Sequence, residues 1–344
     1  MNPRPRPHVL REPASSDRPA SRRVAWTPVA ASAALALACL AALPGPAAAE
    51  TRVTLKAAKA GSSYYQMAVQ LAEAVKAGTD GEVSVTVEES QGSVQNVMEA
   101  AVRPGNYVFT SPPALVELAR EGEAMFADRA SPKFDEVRAL FPIPSLTMHF
   151  VASEASGIES FEDMAGKTVL LGKGSFGATE GEKYLTLFGL DGKVEIADAE
   201  LSNAVAALKN GRIDAFVTAG SWPAPNVVEA AASLPVTVLS LNDAQVAETK
   251  RTRLEIPAGT YAGQDAPVVT TSLPVVVYAT GAMDDDTAYA LTRTYWESKP
   301  FLGTESPWWN GVDHELLSNV DTRIHPGAVR YYEEAGVALR DSQR

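Results

Sequence analysis

The sequence predicts an α/β protein of two lobes around one cleft, each lobe a mixed, mostly parallel sheet flanked by helices. Three observations carry this. From Thr51 to Glu121 short apolar runs alternate with helical periods, the pattern of parallel strands joined by crossover helices. The alternation pauses and then restarts at Lys167. A C-terminal section finally supplies helices that need a sheet to cover, which returns the chain to the first unit.

The elements follow in order. Residues 52–58 read as a strand, 64–76 as a helix, and 82–88 as a strand with Val83, Val85 and Val87 on one face. Residues 94–102 read as a helix, 107–110 as a strand and 114–120 as a helix. The polar stretch 126–134 reads as a loop, and 137–142 and 146–152 as two further strands. In the second unit, strands are expected at 167–171, 194–197, 213–218 and 236–239, with helices at 179–188, 203–208 and 224–232. A charged, helix-prone stretch runs from Asn242 to Arg253. The β-branched run 268–280 is interrupted by Pro274, and 284–299 and 326–339 read as helices. Lobe one is thus residues 50–153 with 258–344, and lobe two 154–257, with hinge strands near Ala152 and Pro257.

Ahead of this lies an export signal, residues 1–49. Arg22 and Arg23 precede an apolar run from Val29 to Leu43, and Ala47, Ala48 and Ala49 offer small residues before Glu50. The run is about fifteen residues, short of the roughly 20 that span a bilayer. Ser21, Arg22 and Arg23 resemble part of a twin-arginine signal, so the export route stays open. Cys39 is the only cysteine and lies in the signal. Its surroundings match a lipidation site poorly, and a soluble periplasmic product is expected. The exported chain then has no disulfide and no thiolate chemistry.

The whole chain carries a net charge of −12. The signal contains six Arg and two acidic residues, so its removal leaves about −16. That excludes nucleic acid as a partner and favours a monomer kept apart by self-repulsion.

Four strand-to-helix loops are rich in Gly and Ser. The first holds Ser62, Ser63, Tyr64 and Tyr65, where a serine caps the next helix and two rings can wall a pocket. The second holds Ser90, Gly92, Ser93 and Asn96, and the third Thr110 and Ser111 before a proline pair. The fourth holds Lys173, Ser175, Gly177 and Thr179. Helix N-termini carry free amides and partial positive charge, so each loop is a candidate anion seat.

The fourth loop has a rival reading. Gly172, Gly174 and Gly177 form G-x-G-x-x-G between a strand and a helix, with Glu195 farther on. That is a dinucleotide-binding pattern, and an exported NAD(P)-dependent oxidoreductase is the competing assignment. Its position deep in the chain and the export signal weigh against it. The chain has no G-x-S-x-G, no Walker A loop and no zincin motif. His149 reads as a packed core residue, His325 as a helix cap, and Trp308 with Trp309 as lobe packing. No cofactor, metal or catalytic residue is expected.

Taken in order, these residues resemble the TAXI class of solute receptors that serve TRAP transporters. The resemblance runs from about Thr51 to Gly336. It is carried by GSSYY from Gly61, S-x-GSVQN from Ser90, SGI from Ser156, DMAGK from Asp163, the loop from Gly172 to Thr179, GRIDA from Gly211 with Gly220, and HPGAVRYYE from His325. It implies a clamshell of the periplasmic-binding-protein type, no catalysis, and partner permease subunits driven by an ion gradient. It implies a small ligand such as an amino acid or dicarboxylate. An ABC-type receptor is the near alternative. Carried over, the ligand loops fall on Ser62 to Tyr65, Ser90 to Asn96, Thr110 with Ser111, and Lys173 to Thr179, with Ser221 a weaker candidate. Two departures stand out: TSPP from Thr110, and Lys173 with Phe176 around the small-residue turn.

Overall fold

The computed structural model describes residues 50–344. The segment read as an export signal, with Arg22, Arg23 and Cys39, lies outside the described residues.

Strand β1 (Thr51–Lys56) points Val53 and Leu55 into the core and leads to helix α1 (Ser63–Gly78). Strand β2 (Val83–Glu88) pairs parallel with β1 on one side. Helix α2 (Ser93–Ala100) then carries the chain to β3 (Tyr107–Ser111), parallel to β1 on its other side. Helix α3 (Pro113–Glu121) starts on a proline, which suits the first turn, and ends at Gly122 in the left-handed region. Two short 3-10 turns fill the expected loop before β4 (Arg138–Ser153).

The second series repeats the arrangement. It comprises β5 (Thr168–Leu170), α4 (Phe176–Leu187), β6 (Glu195–Ile196), α5 (Ala204–Lys209) and β7 (Ala215–Gly220). Here β5 is the central strand, with β6 and β7 parallel on either side. Helix α6 (Pro225–Ser233), β8 (Val236–Val238), α7 (Asp243–Thr249) and β9 (Thr252–Ile256) follow. Strand β10 (Val268–Ala279) leads to α8 (Asp285–Glu305) and α9 (Pro326–Glu334).

These ten strands share one mixed sheet, whose main path runs β2-β1-β3-β10-β4-β7-β5-β6. Its two parallel thirds are joined by the antiparallel strands β4 and β10. Strand β4 pairs with β10 up to Thr147 and with β7 from Thr147 onward. Strand β10 pairs with β9 up to Ser272 and with β4 from Ser272 onward. Thr147 and Ser272 face each other, so both long strands change partners at one point.

Sequence periodicity splits β4 in two at its prolines and breaks β10 at Pro274; the structure does neither. Leu146 pairs with Leu273 and Ile143 with Val275, leaving Pro144 and Ser145 opposite Pro274. Two residues against one is a β-bulge, a place where prolines without N–H donors are tolerated. The carbonyls freed there are used: the Tyr64 hydroxyl donates to Pro144 O at 2.9 Å and the Ser221 hydroxyl to Ser145 O at 2.8 Å.

Strands β5 and β7 are buried on both faces, as parallel strands covered by helices must be, whereas the edge strand β6 is exposed. Phe150 and Val169 belong to one apolar cluster and their neighbours Val151 and Leu170 to another. The C-terminal section does return to the first series. Trp309 Nε1 donates to Gln70 of α1 at 2.8 Å, and the His325 amide donates to Ala139 of β4 at 2.8 Å.

Candidate ligand-binding site

In both series the loops leaving the carboxyl ends of the parallel strands converge on one cavity. From the first series come Ala58, Lys59 and Ser62 after β1, and Gln91, Gly92 and Ser93 after β2. From the second come Ser175, Phe176 and Gly177 after β5, Leu201 after β6, and Thr218 with Ala219 at the end of β7. Tyr64 and Leu146 complete the wall. Open α/β sheets bind ligands at such strand ends, where neighbouring connections depart to opposite sides.

Three helix N-termini meet here, each built by its local sequence. Ser62 caps α1, its hydroxyl accepting from the Tyr65 amide at 3.3 Å. Ser175 caps α4, accepting from Ala178 N–H at 3.0 Å. That cap starts α4 at Phe176, three residues before the periodicity does. Helix α2 begins after Gly92 with no side-chain cap, so its first-turn amides stay available. Gly92 has φ of 115°, a conformation that strains any other residue. A Cβ there would stand 3.6 Å from the Phe176 amide nitrogen, so the starts of α2 and α4 nearly touch across the cleft.

The cavity is small, about 50 Å³, and Phe176 and Leu146 make much of its wall apolar. A polar side chamber of about 140 Å³ shares Lys59, Ser62 and Leu201 with it and adds Asn226 and Glu229. Lys59 reaches across to Glu200 at 3.2 Å. The two series therefore already touch over the cleft. Among the described residues no unpaired cation lines the inner cavity.

Of the candidates named from sequence, Ser62, Tyr64, Gly92, Ser93, Ser175 and Gly177 line this cavity. Ser90, Asn96, Thr110 and Ser111 are buried and do not line it. Asn96 donates to Ala57 O at 2.7 Å and to Thr110 O at 3.0 Å, and Ser90 to Ala57 O at 3.1 Å. Ser63 is also buried, its hydroxyl accepting from the Ser221 amide at 2.9 Å. Burial keeps the Tyr64 phenol far above its ordinary pKa, a neutral donor to Pro144.

Four candidates lie elsewhere. Lys173 is exposed and pairs with Asp198 at 2.7 Å, and that carboxylate raises its pKa. Its side chain is therefore held on the surface and not in the cavity. Thr179 is exposed on α4, one turn beyond the helix start. Tyr65 is half-buried on α1 and does not reach the cavity wall. Ser221 lines a separate pocket. Sequence reasoning passed over Lys59, Leu201 and the end of β7, and reached Gln91 only as part of the loop from Ser90 to Asn96. The signal for them was the rule already applied to other loops: each lies at the carboxyl end of a parallel strand.

The glycines of the fourth loop have structural causes. Gly172 has φ of 82°, and a Cβ there would lie 2.9 Å from Leu201 Cβ. A Cβ on Gly177 would lie 3.1 Å from Ala219 Cβ, so this glycine lets α4 pack on β7. In this geometry Gly92 and its loop stand over the turn. Among the described residues no group of His, Cys, Asp or Glu could hold a metal, and no helix is long and apolar enough to cross a membrane.

A mixed sheet with helices on its faces and strand-end loops meeting in a central cleft defines the periplasmic-binding-protein fold. The periplasmic binding protein BugD shares it, with a TM-score of 0.50 at 12% identity over 85% of this chain and 99% of that one. By sequence the chain belongs to the NMT1-like family, which it matches over residues 55–336. Fainter likenesses reach MatC from Rhodopseudomonas palustris with bound malate (TM-score 0.48, 12% identity, 78% and 88% of the two chains). A TRAP periplasmic solute-binding protein from Actinobacillus succinogenes with bound L-galactonate gives 0.42 at 14% identity over 84% and 88%.

Proposed function

We propose that this protein is an exported receptor that captures a small carboxylate-bearing solute between two α/β lobes and presents it to a membrane permease. The convergence of three helix N-termini from both strand series on one cavity carries the reading. Free amides at helix starts stabilise a carboxylate without a cation. That suits a strongly acidic protein in which the Lys at the cavity is already paired. Micromolar affinity needs about −8 kcal/mol. A few charge-assisted amide bonds, at roughly 1.5–3 kcal/mol each, together with burial against Phe176 and Tyr64, supply it.

A cavity of about 50 Å³ holds little more than one or two waters. The solute therefore enters an opened form, and the present geometry describes closure. We place the hinge where β4 and β10 change partners, at Thr147 and Ser272, in place of the ends near Ala152 and Pro257. Binding drives closure only through interactions that the closed form alone makes, and the amides of α4 supply them. The proposed role is capture, which the meeting of helix starts from both series at one cavity supports. The permease is assigned to the TRAP type on the ordered motifs of the TAXI resemblance; uptake in vesicles driven by an ion gradient without ATP checks it.

A thermal-shift screen of amino acids, dicarboxylates and sugar acids, with NAD(H) alongside, tests the central claim. A saturating carboxylate is expected to raise Tm by about 5 °C. Phe176→Ala, which enlarges the cavity, should shift preference toward bulkier acids at a stability cost of about 3 kcal/mol. Lys173→Ala should leave affinity unchanged. A response to NAD(H) with none to any carboxylate would overturn the assignment.

A further inference from the structure

The inner cavity and the side chamber are two parts of one site. Asn226 Nδ2 donates to Thr218 Oγ1 at 3.0 Å; Thr218 lines the first space and Asn226 the second. Both spaces share Lys59, Ser62 and Leu201, so each draws on both strand series. The inner cavity of about 50 Å³ seats a carboxylate and little else. The remainder of a bound solute then extends into the side chamber. At roughly 30 Å³ for each water-sized group, its 140 Å³ takes about four or five non-hydrogen atoms.

The two parts differ in charge. Among the described residues no Asp or Glu lines the inner cavity, and the helix starts make it a place for negative charge. An ammonium on the carbon next to the carboxylate would be held against those starts with no anion to offset it. The side chamber is the opposite. Glu229 lines it and, among the described residues, has no ion-pair partner, whereas the Lys59 charge is offset by Glu200 at 3.2 Å. Glu229 lies three residues after Asn226 on α6, hence on the same helix face. With Nδ2 given to Thr218, the Asn226 amide keeps Oδ1 as an acceptor. Leu201 and Val205 supply the chamber's apolar wall.

We propose that the solute is a short ω-amino acid. Its carboxylate sits on the helix starts, about three methylenes run along Leu201 and Val205, and its terminal ammonium lies between Glu229 and Asn226 Oδ1. This deepens the receptor reading above and rests on it. Glu229 is then the residue that sets specificity. It turns away a second carboxylate through like charge, and the helix starts turn away an ammonium close to the first. Dicarboxylates fail on the one point and α-amino acids on the other.

Isothermal titration calorimetry of the wild-type protein with γ-aminobutyrate, its isomer α-aminobutyrate, plain butyrate and glutarate tests this. γ-Aminobutyrate should bind about tenfold tighter than any of the others. Glu229 is exposed, and Glu229→Gln keeps its shape. That variant should cut the advantage of γ-aminobutyrate over butyrate about fivefold and leave butyrate affinity unmoved. A merely structural role for Glu229 would weaken both acids alike. Glu229→Lys should bring glutarate above γ-aminobutyrate. The proposal fails if α-aminobutyrate or glutarate matches γ-aminobutyrate in the wild type, or if Glu229→Gln leaves the ratio of γ-aminobutyrate to butyrate affinity unchanged. Butyrate binding with no gain from the terminal amine sinks this proposal and leaves the receptor reading standing. No binding by any of these acids sinks both.

Discussion

His149 sits wholly buried in β4, and its ring is satisfied only as the neutral form. Its Nδ1 lies 3.2 Å from the Thr147 carbonyl, so it donates there. Its Nε2 lies 2.8 Å from the Tyr261 hydroxyl, which itself accepts from Ala224 N–H at 3.0 Å. Burial pushes its pKa down from 6.5 to about 4. Between those values the unfolded chain binds a proton that the folded chain refuses. Stability is therefore complete above pH 6.5 and falls as the pH drops toward 4, by about 2 kcal/mol at pH 5. Burial lowers the pKa of His314 and His325 as well, which adds in the same direction. Urea unfolding at pH 7 and pH 5 should show this loss. His149→Gln should reduce it by more than any other single histidine substitution, and identical pH slopes for variant and wild type would refute the assignment.

Helix starts form the site at the level of elements. Each is specified by a short-range device: a serine cap at Ser62 and at Ser175, and a glycine at position 92 that leaves its helix uncapped. Gly92→Ala tests the last of these. Its φ of 115° disfavours any side chain, and the new methyl would stand beside the Phe176 amide. A stability loss of about 1–2 kcal/mol is expected, with at least tenfold weaker binding of the cleft carboxylate by calorimetry. Ser175→Ala should cost about 1 kcal/mol through the cap alone. A Gly92→Ala protein with unaltered affinity would remove the start of α2 from the site.

Across the whole molecule, closure depends on pairings between residues far apart in the chain. Lys59 and Glu200 span the cleft mouth at 3.2 Å, both partly exposed. Such a pair contributes at most about 1 kcal/mol. Its effect belongs mainly to the rate of opening. Lys59→Ala and Glu200→Ala should each speed solute release two- to fivefold in stopped-flow traces, without adding in the double variant. In 1 M salt, where screening is nearly complete, the difference should vanish. Additive effects of the two substitutions would mean that the pair is not a latch.

The sequence by itself determined the alternation of strands and helices, the two series, and the loops that end in helix starts. These depend on periodicity and capping, which neighbouring residues encode. It also marked Ser62, Gly92 and Ser175, because a cap or a strained glycine is a local necessity. Only the tertiary structure decided which loops meet. It set Lys173 against Asp198 and away from the cavity, turned Ser63, Ser90 and Asn96 into braces, and brought Phe176 to the wall. It ran β4 and β10 straight through their prolines, because a bulge in one strand is fixed by its partner. Register, charge pairing and convergence are properties of residues distant in the chain, and no local pattern contains them.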